Sequence, residues 1–189
     1  MEISFSYVIT FISLIYGLAI AHALSCIAEY IQRWKEIKQY WVWWFWAIWL
    51  LMLSVGFWIS IYNFYSKIDT WNVSYVFFLT LQASLFYLNY YIFFNHYDEM
   101  ENGDLEIEFY KYKKSYYFLL IIQLNLMFFG TNLLTTDKTF LEIFKLNLPI
   151  AIYSFLLIYL AYSDNKYMHK VFAAIFLSLF ALQLIMDST

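Results

Sequence analysis

The sequence alternates between long apolar runs and short polar connections. Six runs are close to the roughly 20 residues that a helix needs to cross a hydrocarbon core about 30 Å thick. They cover residues 5–29, 41–64, 73–94, 116–134, 147–163 and 170–186. The runs lack the in–out alternation of membrane β-strands. The pattern predicts an all-α fold, a polytopic transmembrane helical bundle of six spans that forms a single domain over residues 1–189.

Basic residues are unevenly shared among the connections. The first, third and fifth connections hold most of them: Arg33, Lys35, Lys38, Lys111, Lys113, Lys114, Lys166 and Lys170. Because cytoplasmic loops carry the excess of positive charge, we expect these connections, including the large loop 95–115, to be cytoplasmic. Both termini are then predicted to lie on the outer, periplasmic side.

The composition agrees with a lipid environment. Of the 189 residues, 63% are hydrophobic and only 13% are charged, whereas soluble domains average about 25% charged residues. The net charge of −3 leaves no basic face for phosphates, so no nucleic-acid partner is expected. The single cysteine, Cys26, excludes an internal disulfide. The start MEISFSYVIT lacks the basic region of a secretory signal, so the first run is predicted to be a retained span.

Tryptophan is concentrated where the second span begins, in QYWVWWFWAIWLL. Trp41, Trp43 and Trp44 are predicted to be anchors at the membrane interface, where indole rings place an apolar body in lipid and an N–H near water. Trp46 and Trp49 lie deeper, and at least one is expected to pack on lipid or neighbouring helices. A sugar or nucleobase platform would need polar partners that this stretch lacks.

The first span carries small side chains at intervals of three or four residues. They are Ser6, Thr10, Ser13, Gly17, Ala21, Ser25 and Ala28. This spacing places them on one helix face, where small side chains allow close approach of backbones in lipid. The stripe predicts either a central helix of the bundle or the seam of a homo-oligomer.

A polar group lies near the cytoplasmic end of the same span. His22, Ser25, Cys26 and Glu29 share a face because they are three, four and seven positions apart. The functional interpretation is a proton- or cation-responsive site in which His22 and Glu29 share a proton. The alternative is that Glu29 lies at headgroup level and pairs with Arg33 one turn later.

The three histidines are all predicted on the cytoplasmic side. His96 and His169, with His22 and Cys26, are residue types that zinc prefers. No pair shows C-x-x-C or H-x-x-x-H spacing, so the expectation is no metal and no cofactor. No nucleophile–base pair or phosphate-binding glycine loop is present either, and the chain is not expected to be an enzyme.

Amide side chains occur inside the third and fourth spans. They are Gln82, Asn89, Gln123, Asn125 and Asn132. Amides in hydrocarbon need partners, so their faces are expected to point to other helices or to a wet path. Interhelical hydrogen bonding and a lined conduit both remain open at this point.

The connection HYDEMENGDLEIEFYKYKK has two interpretations. In one, residues 104–115 form an amphipathic surface helix, with Leu105, Phe109 and Tyr112 on lipid. Three lysines of this segment would then meet anionic headgroups: Lys111, Lys113 and Lys114. In the other, residues 96–114 dock a cytosolic protein partner. A calcium loop is not expected, because apolar residues occupy ligand positions.

Three stretches resemble a family of small bacterial six-helix integral membrane proteins without an assigned activity. SLIYGLAIAHALSCIAEYI is similar to the family's Gly-Leu-Ala-x-x-x-x-Leu first helix, and RWKEIKQYWVWWFWAIWLL to its basic turn and Trp-rich second helix. YYIFFNHYDEMENGDLEIEFYKYKKSYYFLL matches an aromatic-ended span and a Tyr–basic segment, with Asn95-His96 where the family has Pro-Asp. The resemblance implies six spans in a bacterial inner membrane and no catalytic residues.

Three functions from different classes follow. The leading hypothesis is an inner-membrane protein that forms a homo-oligomer and acts on or senses the lipid bilayer, as a pore, channel-like effector or regulated partner. Multi-pass proteins of this size occur beside bacterial immunity genes, which by analogy suggests a defence role. The alternatives are a proton- or ion-coupled transporter using His22 and Glu29, and a scaffold for a cytosolic partner.

Overall fold

The computed structural model describes residues 5–66, 68, 71–136 and 138–187, with side chains as far as Ser178. Over these ranges the chain is all-α, as predicted, and its one β-type contact is a parallel bridge between Lys38 and Asp104. The helices are α1 (Phe5–Gln32), α2 (Trp41–Tyr65), α3 (Val73–Phe93), α4 (Leu105–Thr135), α5 (Phe140–Leu146), α6 (Leu148–Tyr162) and α7 (Lys166–Asp187). The predicted positions of both termini concern residues outside the described ranges.

Four helices of the described chain, α1 to α4, are long and apolar enough to cross a membrane. α5 and α6 provide a fifth candidate only as a pair, because they are bent by 60°. α6 alone has 15 residues, about 22 Å of helix at 1.5 Å per residue. α7 contains the sixth predicted span, whose apolar side chains after Ser178 lie outside the described part. The described residues therefore contain four to five candidate spans, and six spans stay a prediction.

Aromatic side chains fill the space between the helices. α1 packs along α3, α3 along α4 and α4 along α6, while α2 contacts α1, α3, α4 and α7. The largest fully buried side chains are Tyr30, Trp43, Trp46, Phe57, Tyr65, Phe86, Tyr90, Phe94, Tyr116 and Tyr117. Many meet edge to face, as Trp46 and Tyr117 do with ring centroids 5.3 Å apart. Each such pair contributes about 0.5–1.5 kcal/mol beyond its buried area.

α4 begins earlier than the sequence predicts. The predicted span 116–134 is preceded by three further turns of the same helix, and a five-residue π-helical segment, Leu126–Gly130, lies within it. Residues 105–115 are therefore not a separate surface helix. Leu105 and Phe109, expected on lipid, are buried in the core. They pack inward because neighbouring segments cover this part of α4; Phe109, for example, lies against Tyr40 of the first connection.

The first, third and fifth connections meet at one end of the bundle. The Lys38 ammonium is 2.7 Å from the Asp104 carboxylate, which joins the first connection to the third. Lys166 lies 2.6 Å from Glu106, which joins the fifth connection to the start of α4. We call this region the charged end. It is the arrangement expected for helices that alternate in direction.

Candidate functional site

The polar face of α1 meets the segment that follows α3 at the charged end. His22 and Cys26 lie on successive turns of α1, and Glu29 follows within the next turn. Cys26 is fully buried, whereas His22 and Glu29 are half-buried. The fourth residue of the predicted group, Ser25, is exposed to the outside of the bundle. Three of the four predicted residues therefore face the same neighbour.

That neighbour is residues 94–97. The Glu29 carboxylate accepts a hydrogen bond from the backbone N–H of Tyr97 at 3.1 Å, and its other oxygen is 2.8 Å from Nδ1 of His96. Neither His22 nor Arg33 is the partner of Glu29 in these contacts. A carboxylate bound at both oxygens holds the imidazole of His96 in a fixed orientation.

His22 is oriented by the same segment. Its Nε2 lies 2.9 Å from the carbonyl oxygen of Phe94, and its ring stacks on Tyr91 with centroids 5.5 Å apart. One turn beyond Cys26, the Tyr30 hydroxyl donates to the carbonyl oxygen of Asn95. α1 thus binds the chain directly after α3 through three polar side chains.

These contacts bring a set of potential metal ligands together. One ligand atom each from His22, Cys26 and His96 lies within 4.8 Å of the others. The rings of the two histidines are edge to face, with centroids 5.5 Å apart. His169 does not belong to this group, because it is fully buried and its Nε2 bonds the carbonyl oxygen of Ser163 at 2.9 Å. The prediction of no metal site rested on spacing along the sequence, which does not reveal that these three residues lie close together.

Buried carboxylates hold the loop that carries His96. Glu108 is buried and accepts hydrogen bonds from the Asn95 side chain at 3.1 Å and from the Glu101 backbone N–H at 2.9 Å. Asp104 caps α4 by accepting from the backbone N–H groups of Glu106 and Ile107. Burial alone would raise the pKa of Asp104, but its hydrogen bonds to Lys38 and to the backbone lower it overall.

Lys113 differs from its predicted role as a headgroup anchor. It is buried in the charged end, where its ammonium lies 2.6 Å from Asp164 and also donates to the Ser163 carbonyl oxygen. This hydrogen bond lowers the pKa of the exposed Asp164 carboxyl. A buried ammonium group is stable only when it is paired with an opposite charge and hydrogen-bonded, as Lys113 is here. Lys111 and Lys114 are exposed, and Lys111 lies 3.6 Å from Glu108.

The tryptophans divide between surface and core. Trp41 is exposed, and Trp44 is half-buried with its indole N–H donating to Gln39 at 2.8 Å. Their role as interface anchors stays a prediction. Trp43 is only 1% exposed and stacks on Phe93, with ring centroids 5.1 Å apart, so it is a core residue. Trp43 lies about 200° around the helix from Trp41, so it faces the core when Trp41 faces outward.

The amide side chains fall into two groups. Gln82, Asn89 and Gln123 are fully buried, and among the described residues neither polar atom of Gln123 has a hydrogen-bond partner. Gln82 donates to the Leu126 carbonyl oxygen at 3.1 Å, but its own side-chain oxygen is unpartnered. The second group, Asn125 and Asn132, is half-buried, and each side chain donates to a carbonyl oxygen one turn earlier. Asn125 also donates to Oγ of Ser154 on α6 at 2.8 Å, which is an interhelical hydrogen bond. Buried polar atoms without a protein partner are the kind of group that ordered water satisfies in proteins.

The small residues of α1 lie on its outer face. Ser6, Thr10, Gly17 and Ala21 are exposed, and Ser13 is half-buried beneath the indole of Trp58. The inner face combines large residues with small ones: Val8, Ile12, Tyr16, Ala19, Ala23, Cys26 and Tyr30. Apart from Ser13, which accepts a hydrogen bond from Trp58 of α2, these small residues therefore do not form the contact between α1 and its own bundle.

Sequence reasoning missed the ligand convergence although one signal was present. His22 and Cys26 are four residues apart on a helix, which places two ligand types on one face as firmly as H-x-x-x-H does. The third ligand, His96, could not be assigned, because its position depends on how α3 ends beside α1.

No protein-family model, curated protein or solved structure matches this chain. The resemblance to small bacterial six-helix membrane proteins therefore stays a prediction. The functional argument has to come from the geometry described above.

Proposed function

We propose that the chain is a non-catalytic, multi-pass protein of a bacterial inner membrane that self-associates along α1 and acts on or senses the bilayer. The observation that carries this proposal is the orientation of α1. Ser6, Thr10, Gly17 and Ala21 of the small-residue stripe are exposed on the outside of the bundle, where another helix could pack against them. In a soluble protein an exposed face of small residues needs no partner, but in lipid it favours helix association.

Gly17 lies at the middle of that face. A Cβ atom at Gly17 would have no other heavy atom within 4 Å, so the glycine is not required by the packing of its own chain. Glycine in a helix interior costs about 1 kcal/mol relative to alanine. Contact with a second copy along Gly17 and Ala21 would offset this cost, because small residues allow the two helix backbones to approach closely.

The proposal is tested by enlarging Gly17 in the full chain. Gly17→Ile is expected to reduce energy transfer between donor- and acceptor-labelled copies in liposomes at least several-fold. Gly56→Ile is the matched control, because Gly56 is an exposed glycine of α2 that also has no heavy atom near its Cβ position. Equal energy transfer in the wild type and Gly17→Ile would rule out association along this face.

The action on the bilayer has a separate readout. If copies joined along α1 form a pore, liposomes containing the wild type should leak small ions and those containing Gly17→Ile should not. The Gly56→Ile liposomes should leak like the wild type. Intact association without leakage under any voltage or pH would favour membrane sensing over a pore.

A second function, a proton- or ion-coupled transporter, is favoured by polar groups at the charged end and inside the bundle. Glu29 is paired with His96 at 2.8 Å, and both polar atoms of the fully buried Gln123 lack partners among the described residues. An ionisable pair where a polar path would enter the bundle, with unpartnered amides deeper inside, is a feature of transport pathways.

Two variants test the transporter. Glu29→Gln is expected to abolish pH-dependent flux while leaving the helical content unchanged, and Gln123→Leu to slow flux by removing a hydration site. Asp98→Asn, at an exposed carboxylate of the same loop region, is the control. Wild-type flux in Glu29→Gln would eliminate this function.

A further inference from the structure

We propose that His22, Cys26 and His96 bind a divalent transition-metal ion, with Zn²⁺ as the ion that suits the site best. One ligand atom of each residue lies within 4.8 Å of the other two. In a tetrahedral site with Zn–N near 2.1 Å and Zn–S near 2.3 Å, ligand atoms are about 3.3–3.8 Å apart. Binding therefore requires the ligand atoms to approach one another by roughly 1 Å or more.

The two histidines are already held in tautomers that suit a metal. A carbonyl oxygen can only accept a hydrogen bond, so Nε2 of His22 carries the proton that it donates to Phe94. Neutral His22 then has a lone pair on Nδ1. The Glu29 carboxylate accepts from Nδ1 of His96 in the same way, which leaves the lone pair on Nε2. Each ring therefore has one nitrogen bound to the protein and the other available.

This pattern is the support that metal-binding histidines usually have. Such histidines donate their second N–H to a carboxylate or a backbone carbonyl, which fixes the ring and makes it a better ligand. The structure shows both versions, with Glu29 for His96 and Phe94 for His22. Glu29 is thus a positioning residue and not a ligand, because its second oxygen is bound to the Tyr97 N–H.

The charges select a divalent ion. A bound metal deprotonates a coordinating thiol, so Cys26 contributes one negative charge and the Glu29 carboxylate beside His96 a second. A divalent cation is neutralised by these two charges, and a neutral group is the one that best suits a site next to the fully buried Cys26. Imidazole and thiolate ligands favour Zn²⁺ over Mg²⁺ or Ca²⁺, which prefer oxygen.

The site supplies three protein ligands and an entry path. Cys26 is fully buried, but the side chain of His96 is 42% exposed, so an ion reaches the thiolate past His96. Zinc sites with three protein ligands keep a fourth position for water or another molecule. Exchange at this position fits a reversible, sensing type of site better than a structural one.

The test uses Co²⁺ as a spectroscopic substitute for Zn²⁺ with the tag-free full chain in detergent. Cys26 is the chain's single cysteine, so a thiolate-to-cobalt charge-transfer band in the wild type by itself assigns Cys26 as a ligand. We expect this band to saturate at one Co²⁺ per chain and to be abolished by Zn²⁺ but not by Mg²⁺. Failure to form the band would overturn the proposal.

Variants then assign the other groups. His22→Ala and His96→Ala should each weaken Co²⁺ binding by well over tenfold, and Glu29→Gln by about 10- to 100-fold with the charge-transfer band retained. Cys26→Ser should abolish the band, while the neighbouring exposed Ser25→Ala should leave it unchanged. Unaltered affinity in both histidine variants, or a band that persists in Cys26→Ser, would contradict the site.

The metal site and self-association can fail separately. All three ligands come from one copy of the chain, and Gly17 lies more than one helical turn from His22 on α1. Gly17→Ile is therefore expected to keep the cobalt spectrum of the wild type even where it prevents association.

Discussion

The ammonium group of Lys113 lies inside the charged end, with 2% of its side chain exposed and Asp164 at 2.6 Å. Its pair is asymmetric, because the side chain of Asp164 is 90% exposed. Removing the lysine leaves a carboxylate that water can solvate. Removing the carboxylate leaves a buried cation with the Ser163 carbonyl oxygen and the face of Tyr110, whose ring centre is 5.0 Å away.

Two substitutions at this pair should therefore differ in effect. Lys113→Met replaces the cation by an apolar side chain of similar length and should change the free energy of unfolding by less than about 1 kcal/mol. Asp164→Asn should lower the thermal unfolding midpoint clearly, because it leaves the charge uncompensated. Circular dichroism in detergent measures both, with the exposed Lys114→Met as the control. A larger loss for Lys113→Met than for Asp164→Asn would contradict the asymmetry.

At the scale of elements, the start of α4 depends on Asp104. Its carboxylate both caps the helix and binds Lys38, whose pKa is raised by that hydrogen bond. The pKa of Asp104 is lower in the folded chain than its ordinary value of 3.8. The unfolded chain therefore takes up this proton more readily. The stabilisation is complete above the ordinary pKa and is lost as the pH falls through the folded-state pKa.

Two variants separate the cap from the charge. Asp104→Ala should destabilise the chain by about 0.5–2 kcal/mol through loss of the cap and should also flatten the acid limb of stability against pH. Asp104→Asn keeps a capping oxygen and should mainly flatten that limb. Thermal unfolding at several pH values below 6 measures both, and Asp98→Asn serves as an exposed control. If Asp104→Asn lost as much stability at low pH as the wild type does, other carboxylates would be the cause of that loss.

The helices were more predictable than their termini or their inward-facing polar contacts. Continuous apolar runs define α1, α2 and α3 within a few residues, because a span needs a fixed length of apolar chain. The start of α4 was misassigned as a surface helix, since Leu105 and Phe109 give the same pattern on lipid as in a core. His96 and Lys113 could not be paired with Glu29 and Asp164 from sequence, because those contacts join segments that are distant along the chain.

At the scale of the whole molecule, the bundle has one end rich in ion pairs and an opposite end that is nearly free of them in the described residues. The charged end joins the first, third and fifth connections. This grouping agrees with helices that cross the membrane in alternating directions. It does not depend on which side of the membrane the charged end faces, whereas the basic residues predict the cytoplasm.

Single cysteines introduced into a Cys26→Ser background test this topology. Lys35→Cys and Asn165→Cys lie in connections at the charged end, and Asn72→Cys and Thr136→Cys lie in the second and fourth connections. In intact spheroplasts, a membrane-impermeant maleimide should label the second pair and reach the first pair only after lysis, because the positive-inside bias places the charged end in the cytoplasm. Labelling of both pairs before lysis would show that no bilayer separates the two ends of the bundle. The reverse order would keep the bundle but invert it, and the proposed metal site would then take its ion from the outer side.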